Sequence, residues 1–200
     1  MRRLLSAFLL AALLWGCGDS AKLAKLPPDA VVLAFGDSLT FGTGAPEPAS
    51  YPSQLEGLIG RKVVRAGIPG EVSAAGLARL PSALDEHQPR LLILTHAGND
   101  FLRKLDRKAA ASNVRAMVKL AKDRGIDVVL LAVPEPGLFI SAPAFYEEIA
   151  VELRVPFEAG ILPSVLGDRS LKADLIHPNA EGYRRIAEAV AKLLRKAGAV

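Results

Sequence analysis

Two segments far apart in the chain carry side chains that could work as nucleophile and base. Ser38 lies in a Gly-Asp-Ser-Leu-Thr run at residues 36–40, and His177 in an Asp-Leu-Ile-His-Pro run at residues 174–178. A serine hydroxyl becomes a useful nucleophile when an adjacent base takes its proton, and neutral imidazole accepts and returns a proton near physiological pH. Asp174 stands three residues before His177, a spacing at which one local turn brings its carboxylate to the ring nitrogen facing away from Ser38. Such a triad hydrolyses esters through an acyl-enzyme, provided that hydrogen-bond donors receive the oxyanion. The chemistry needs no cofactor. His87, His96 and His177 are far apart in sequence, no Cys or His spacing matches a zinc site, and no phosphate-cradling glycine motif occurs.

These segments need a scaffold that gathers them. Continuous apolar runs at residues 31–35, 62–65, 91–95 and 127–133 read as strands buried on both faces. A fifth at 155–157 contains Pro156, which restricts it to a sheet edge. Between the runs the apolar period becomes helical. Tyr51, Leu55, Leu58 and Ile59 share one face, as do Leu77, Leu80 and Leu84, where Pro81 is expected to break the helix in two. Val114, Met117, Val118 and Ala121 form a stripe that stops at Gly125. Tyr183, Ile186, Val190, Leu193 and Leu194 form the last helix, with Asn179 as its N-cap and Glu188 paired with Lys192. Strands alternating with helices predict a three-layer α/β/α sandwich around a parallel sheet of four to five strands. Ligands bind such sheets outside the carboxyl ends of the strands. The segments following the first three strands are 36–40, then Ala66-Gly67-Ile68-Pro69-Gly70, then Ala97-Gly98-Asn99-Asp100.

Taken singly, Gly-Asp-Ser is a common turn, and Asp-x-x-His-Pro can simply start a helix. The ordered set resembles the blocks of the GDSL/SGNH hydrolase family: Gly36 to Leu39, Gly70, Asn99, and Asp174 to Pro178. The runs Gly-Leu-Ala-Arg-Leu-Pro at 76–81 and His-Gln-Pro at 87–89 resemble the bacterial thioesterase I, lysophospholipase and arylesterase branch. The resemblance implies a flavodoxin-like SGNH hydrolase fold. It also implies oxyanion donors at the Ser38 and Gly70 backbone N–H groups and the Asn99 amide. This sequence departs from the pattern at Ala97, where glycine is usual, and at Arg65 and Val72, where Asn and Thr are common. If Ala97 needs positive φ, it costs on the order of 1 kcal/mol. Asp37 and Asp100 are expected to tie loops through backbone hydrogen bonds. His96 reads either as a histidine satisfied at a strand end or as a substrate contact. Leu138, Phe139 and Ile140, in a breaker-rich loop after the fourth strand, could form an acyl-binding wall or simply pack.

The formal charge of +4 includes Arg2 and Arg3 in the N-terminal segment, and with 6% aromatic residues and no block of five or six like charges the chain offers no nucleic-acid footprint. Residues 1–16 have the layout of a signal peptide, and Leu-Trp-Gly-Cys at 14–17 resembles a bacterial lipobox in which Cys17, the only cysteine, is lipidated. Residues 17–29 then read as a tether ending in Pro27-Pro28, and 30–200 as one domain, a monomer by default. Gly18 after the cysteine favours the periplasmic face of an outer membrane, with the outer face of the cell membrane as the alternative in an envelope of the other kind. The expected activity is that of an esterase or thioesterase on acyl esters, lysophospholipids among them. A carbohydrate O-deacetylase of the cell envelope and a non-catalytic surface lipoprotein are the alternatives, and the lack of Trp beyond Trp15 weighs against the glycan reading.

Overall fold

A computed structural model describes residues 21–137 and 140–200. In chain order its elements are β1 (Val31–Gly36), α1 (Ser38–Phe41), α2 (Tyr51–Ile59), β2 (Lys62–Gly67), α3 (Ser73–His87), β3 (Leu91–Thr95), α4 (Gly98–Leu102), α5 (Arg107–Asp123), β4 (Asp127–Leu131), α6 (Phe145–Leu153), β5 (Phe157–Glu158), α7 (Ile161–Gly167) and α8 (Ala180–Ala197). The strands form one parallel sheet in the order β2-β1-β3-β4-β5. β1, β3 and β4 match the apolar runs and are buried. β2 lies where its run is, but as an edge strand it is only partly buried, with Lys62 exposed, rather than covered on both faces. β5 is a two-residue edge strand beginning just after Pro156, where a residue without an N–H does least harm.

The path steps from β1 out to β2 and then back past β1 to β3. Right-handed crossovers therefore put α2 on one face of the sheet and α3, α5 and α6 on the other. α8 packs on α2, and α3 on α5. The reversal leaves a crevice at the carboxyl ends of β1 and β3, the switch point where doubly wound sheets bind ligands. β1 and β3 themselves are almost wholly inaccessible, with Leu33, Phe35, Leu92 and Ile93 at 0% exposure. Hydrophobic burial on both faces fixes that register, because a one-residue slip would leave two layers mispacked.

The helices follow their apolar stripes. Val114, Met117, Val118 and Ala121 are buried in α5, and Gly125 takes φ +72° just past its end. Asn179 caps α8 by accepting the Gly182 N–H at 3.0 Å, and Tyr183, Ile186, Val190 and Leu194 are buried. Each such large side chain contributes about 1.5–3 kcal/mol.

Four expectations need correction. α3 runs unbroken through Pro81: Leu80 and Leu84 are buried on the sheet on both sides of the proline, which offsets the ~3 kcal/mol of a mid-helix proline. Leu58 is exposed while Tyr51, Leu55 and Ile59 are buried. Glu188 pairs with Arg184 rather than Lys192. Finally, the described part of the expected tether is docked. The Leu23 N–H donates to Ala197 O at 3.0 Å and the Leu26 N–H to Ala199 O at 2.8 Å. The Ala24 N–H donates to the Asp127 carboxylate at 2.9 Å, and Leu26 is buried in the core. The signal segment and Cys17 lie outside the described residues.

Candidate active site

β1 delivers the chain directly to Asp37 and Ser38. Asp37 is buried and caps α1, its Oδ1 accepting the Leu39 N–H at 3.0 Å. Burial pushes the Asp37 carboxyl up, while the nearby His96 and His177 rings and the Leu39 N–H pull it back. Ser38 is the first residue of α1, so its own N–H has no partner within the helix. The end of β2 crosses α1 closely. A Cβ on Gly67 would stand 2.2 Å from the Phe41 nitrogen and 2.6 Å from the Asp37 carbonyl oxygen, so only glycine fits there.

His177 reaches this point from the far end of the chain. Its Nε2 lies 3.0 Å from Ser38 Oγ, and its Nδ1 lies 2.7 Å from Asp174 Oδ2. Asp174 Oδ1 accepts the backbone N–H groups of Ile176 and His177, each at 2.8 Å. The Asp-x-x-His spacing thus closes a turn in which one carboxylate oxygen organises the backbone and the other orients the ring. Partial burial would raise the Asp174 carboxyl, but the His177 hydrogen bond and the two backbone donors hold it below its ordinary value. The tautomer that donates Nδ1–H to Asp174 leaves Nε2 free to accept the Ser38 hydroxyl proton. Hydrogen bonds from Ala173 N to His177 O at 3.0 Å and from Asn179 N to Leu171 O at 2.8 Å fix the segment ahead of α8.

Asn99 enters from the start of α4. Its Nδ2 donates to Glu71 O at 3.0 Å and lies 3.3 Å from Asp37 Oδ2. Ala97, the residue before α4, has φ +84° and ψ 0°, the left-handed geometry that glycine would adopt freely. That costs an alanine about 1–2 kcal/mol. Gly70, at φ +78°, sits at the turn after β2, and its carbonyl accepts from Arg103 Nη2 at 2.7 Å. Its N–H makes no hydrogen bond among the described residues.

One cavity joins these parts. Ser38, Asn99 and His177 line it together with Leu39, Leu102, Val133, Pro134, Ile140, Leu166, Leu175 and Ile176. Gly70 stands outside that lining, linked to it through Glu71 and Asn99. His96 is not a substrate contact: its ring is wholly buried and hydrogen-bonded to Glu71 at 3.2 Å. Ile140 lines the cavity as the acyl-wall reading expects, whereas Leu138 and Phe139 lie outside the described residues. Sequence reasoning misses Leu102, Leu166, Leu175 and Ile176 as wall residues. Their only signal is a place just after or between the chemical blocks.

The model of the GDSL-like lipase/acylhydrolase family matches residues 34–185. The chain belongs to this family. The GDSL hydrolase is 32% identical over 199 residues to an arylesterase of Vibrio mimicus, covering 94% of this chain and 98% of that protein. It is 31% identical over 172 residues to thioesterase 1/protease 1/lysophospholipase L1 of Escherichia coli K12, covering 82% and 83% respectively. Among solved structures, that of TesA superposes with a TM-score of 0.75 at 28% identity, over 84% of this chain and 99% of that one. The GDSL hydrolase is a carboxylic ester hydrolase with the family's α/β fold.

Proposed function

We propose that this GDSL hydrolase cleaves acyl esters and thioesters through a Ser38–His177–Asp174 triad and a Ser38 acyl-enzyme. The observation that carries the reading is the unbroken chain from Ser38 Oγ to His177 Nε2 at 3.0 Å and from His177 Nδ1 to Asp174 Oδ2 at 2.7 Å. His177 takes the Ser38 proton as the oxygen attacks the substrate carbonyl. The oxyanion is received by the N–H groups of Ser38 and Gly70 and by the Asn99 amide. The imidazolium, stabilised by Asp174, returns the proton to the departing alcohol or thiol. Water, deprotonated by the same imidazole, then attacks the acyl-enzyme, and collapse releases the acid and restores Ser38.

The apolar cavity wall supports acyl chains of some length, lysophospholipids included. The lipobox-like segment supports a lipoprotein anchored through Cys17 and facing the periplasm. Labelled fatty acid that enters the chain, and not Cys17→Ser, in a bacterial host tests the anchor; equal incorporation, or none, removes it. A p-nitrophenyl ester series from acetyl to palmitoyl, with Ser38→Ala as control, tests the reaction. Hydrolysis that persists in Ser38→Ala would sink the serine mechanism, and activity confined to acetate would refute the acyl cavity.

A further inference from the structure

Behind the cavity lies a buried polar cluster that the triad does not use. Glu71, the residue after Gly70, is gripped by Arg79 of α3, whose Nε and Nη2 donate to its two carboxylate oxygens at 2.8 and 2.7 Å. The Arg79 guanidinium also lies 4.0 Å from the centre of the Phe35 ring and donates to Ala66 O at 3.2 Å. Burial alone would raise the Glu71 carboxyl, but the hydrogen bonds from Arg79 and His96 and the Arg79 charge hold it at about 2, so it is an anion at any working pH.

His96 makes the second grip. Its Nδ1 accepts the N–H of Ala97 at 3.0 Å, which leaves the ring proton on Nε2, 3.2 Å from Glu71 Oε2. Its carbonyl accepts the Tyr146 hydroxyl at 2.6 Å. Room for the ring exists because residue 76 is glycine: a Cβ there would lie 2.1 Å from His96 Nε2. Glu71 and His96 therefore bond to each other while each belongs to a different turn. Glu71 adjoins Gly70, and His96 leads through Ala97 to Asn99. The Asn99 amide closes the loop by donating to Glu71 O at 3.0 Å.

We propose that His96 is a positioning residue that braces the Gly70 turn to the Asn99 turn, holding Glu71 on one side and the Ala97 N–H on the other. Its bond to the Ala97 N–H steadies a left-handed alanine that has no glycine freedom to spare, and its bond to Glu71 fixes how far apart the two oxyanion donors stand. Loosening the brace displaces donors that must meet a charge present only in the transition state, so it lowers turnover more than substrate binding.

This inference rests on the oxyanion roles proposed above. The test compares His96→Leu, His96→Gln and Asn99→Ala with the native chain, measuring kcat, KM, melting temperature and inhibition by an alkyl trifluoromethyl ketone, whose serine adduct carries an oxyanion. His96→Leu is expected to lose roughly 10- to 100-fold in kcat, with KM within about twofold and ketone affinity falling in step with kcat/KM. His96→Gln, whose amide still donates to Glu71, should recover most of that loss. If His96→Leu does not fold, Glu71→Gln, which keeps the carbonyl that holds Asn99, carries the same readouts. Native turnover in the leucine variant overturns the brace. So does an equal loss in both histidine variants that follows melting temperature and leaves ketone affinity unchanged. Should Asn99→Ala leave ketone affinity intact, the oxyanion reading itself fails, and the brace with it.

Discussion

Asn99→Ala removes one proposed oxyanion donor and two ground-state contacts, and the two losses can be separated by size. Loss of a preorganised donor raises the barrier by about 2.7–4 kcal/mol, a fall of roughly 10²- to 10³-fold in kcat. The contacts to Glu71 O at 3.0 Å and Asp37 Oδ2 at 3.3 Å go as well. Their combined effect on stability is about 1–3 kcal/mol, since one is a neutral amide bond and the other is long, though directed at a buried carboxylate. A fold stable by 5–15 kcal/mol survives that loss mostly native at 25 °C, so unfolding cannot account for a hundredfold drop. The assay is initial-rate hydrolysis of a p-nitrophenyl ester at 25 °C, with urea unfolding of the same preparation. The expected result is a kcat loss of at least about 100-fold with KM little changed. A loss below about tenfold, or one carried wholly by KM, would refute the assignment of Asn99 to the oxyanion.

Other outcomes follow from the same geometry. Gly67→Ala places a methyl against three backbone atoms of the segment bearing Ser38, the nearest at 2.2 Å; it should cost about 1–3 kcal/mol of stability and roughly 100-fold in kcat, and a native rate would show that this contact does not set the position of Ser38. Asp174→Asn should lower kcat by roughly 10³- to 10⁴-fold with ester binding retained, as read by KM and kcat, and a loss under tenfold would deny Asp174 its orienting role. Glu71 is held at about 2 in the folded chain, below its unfolded value of about 4.3, so its stabilising effect is full above pH ~4.3 and disappears as pH falls towards about 2. Glu71→Gln should therefore lose on the order of 3 kcal/mol at pH 7 and flatten the decline of stability in acid, measured by urea unfolding at several pH values; a slope equal to the native one would contradict the shift.

Much of the scaffold is legible because the buried parallel strands β1, β3 and β4 write themselves as apolar runs and because the first three chemical blocks each follow a strand. Asp174 and His177 can be paired from their spacing, since the Asp-x-x-His segment closes its own turn, whereas Ser38 joins them through the ordered blocks that resemble the GDSL/SGNH family. What stays hidden depends on burial rather than type. Pro81 looks like a helix breaker unless one knows that Leu80 and Leu84 are buried on either side of it. Leu23 and Leu26 lack a period, yet they dock against the end of α8 by backbone hydrogen bonds that no side-chain pattern announces. His96 reads in sequence as either a satisfied strand-end histidine or a substrate contact; its burial and its bond to Glu71 decide for the former. Glu71 itself gives no sequence signal, although Gly76 and Arg79, three residues apart in one motif, turn out to be the space and the countercharge for that pair.

The central claim is that Ser38 is the nucleophile, and active-site labelling with a fluorophosphonate followed by peptide mass mapping tests it most directly. The account predicts a single adduct on Ser38 that is absent from Ser38→Ala and forms far more slowly in His177→Ala. A folded chain that takes no label, or one in which Ser38→Ala is labelled as fast as the native chain, would contradict it.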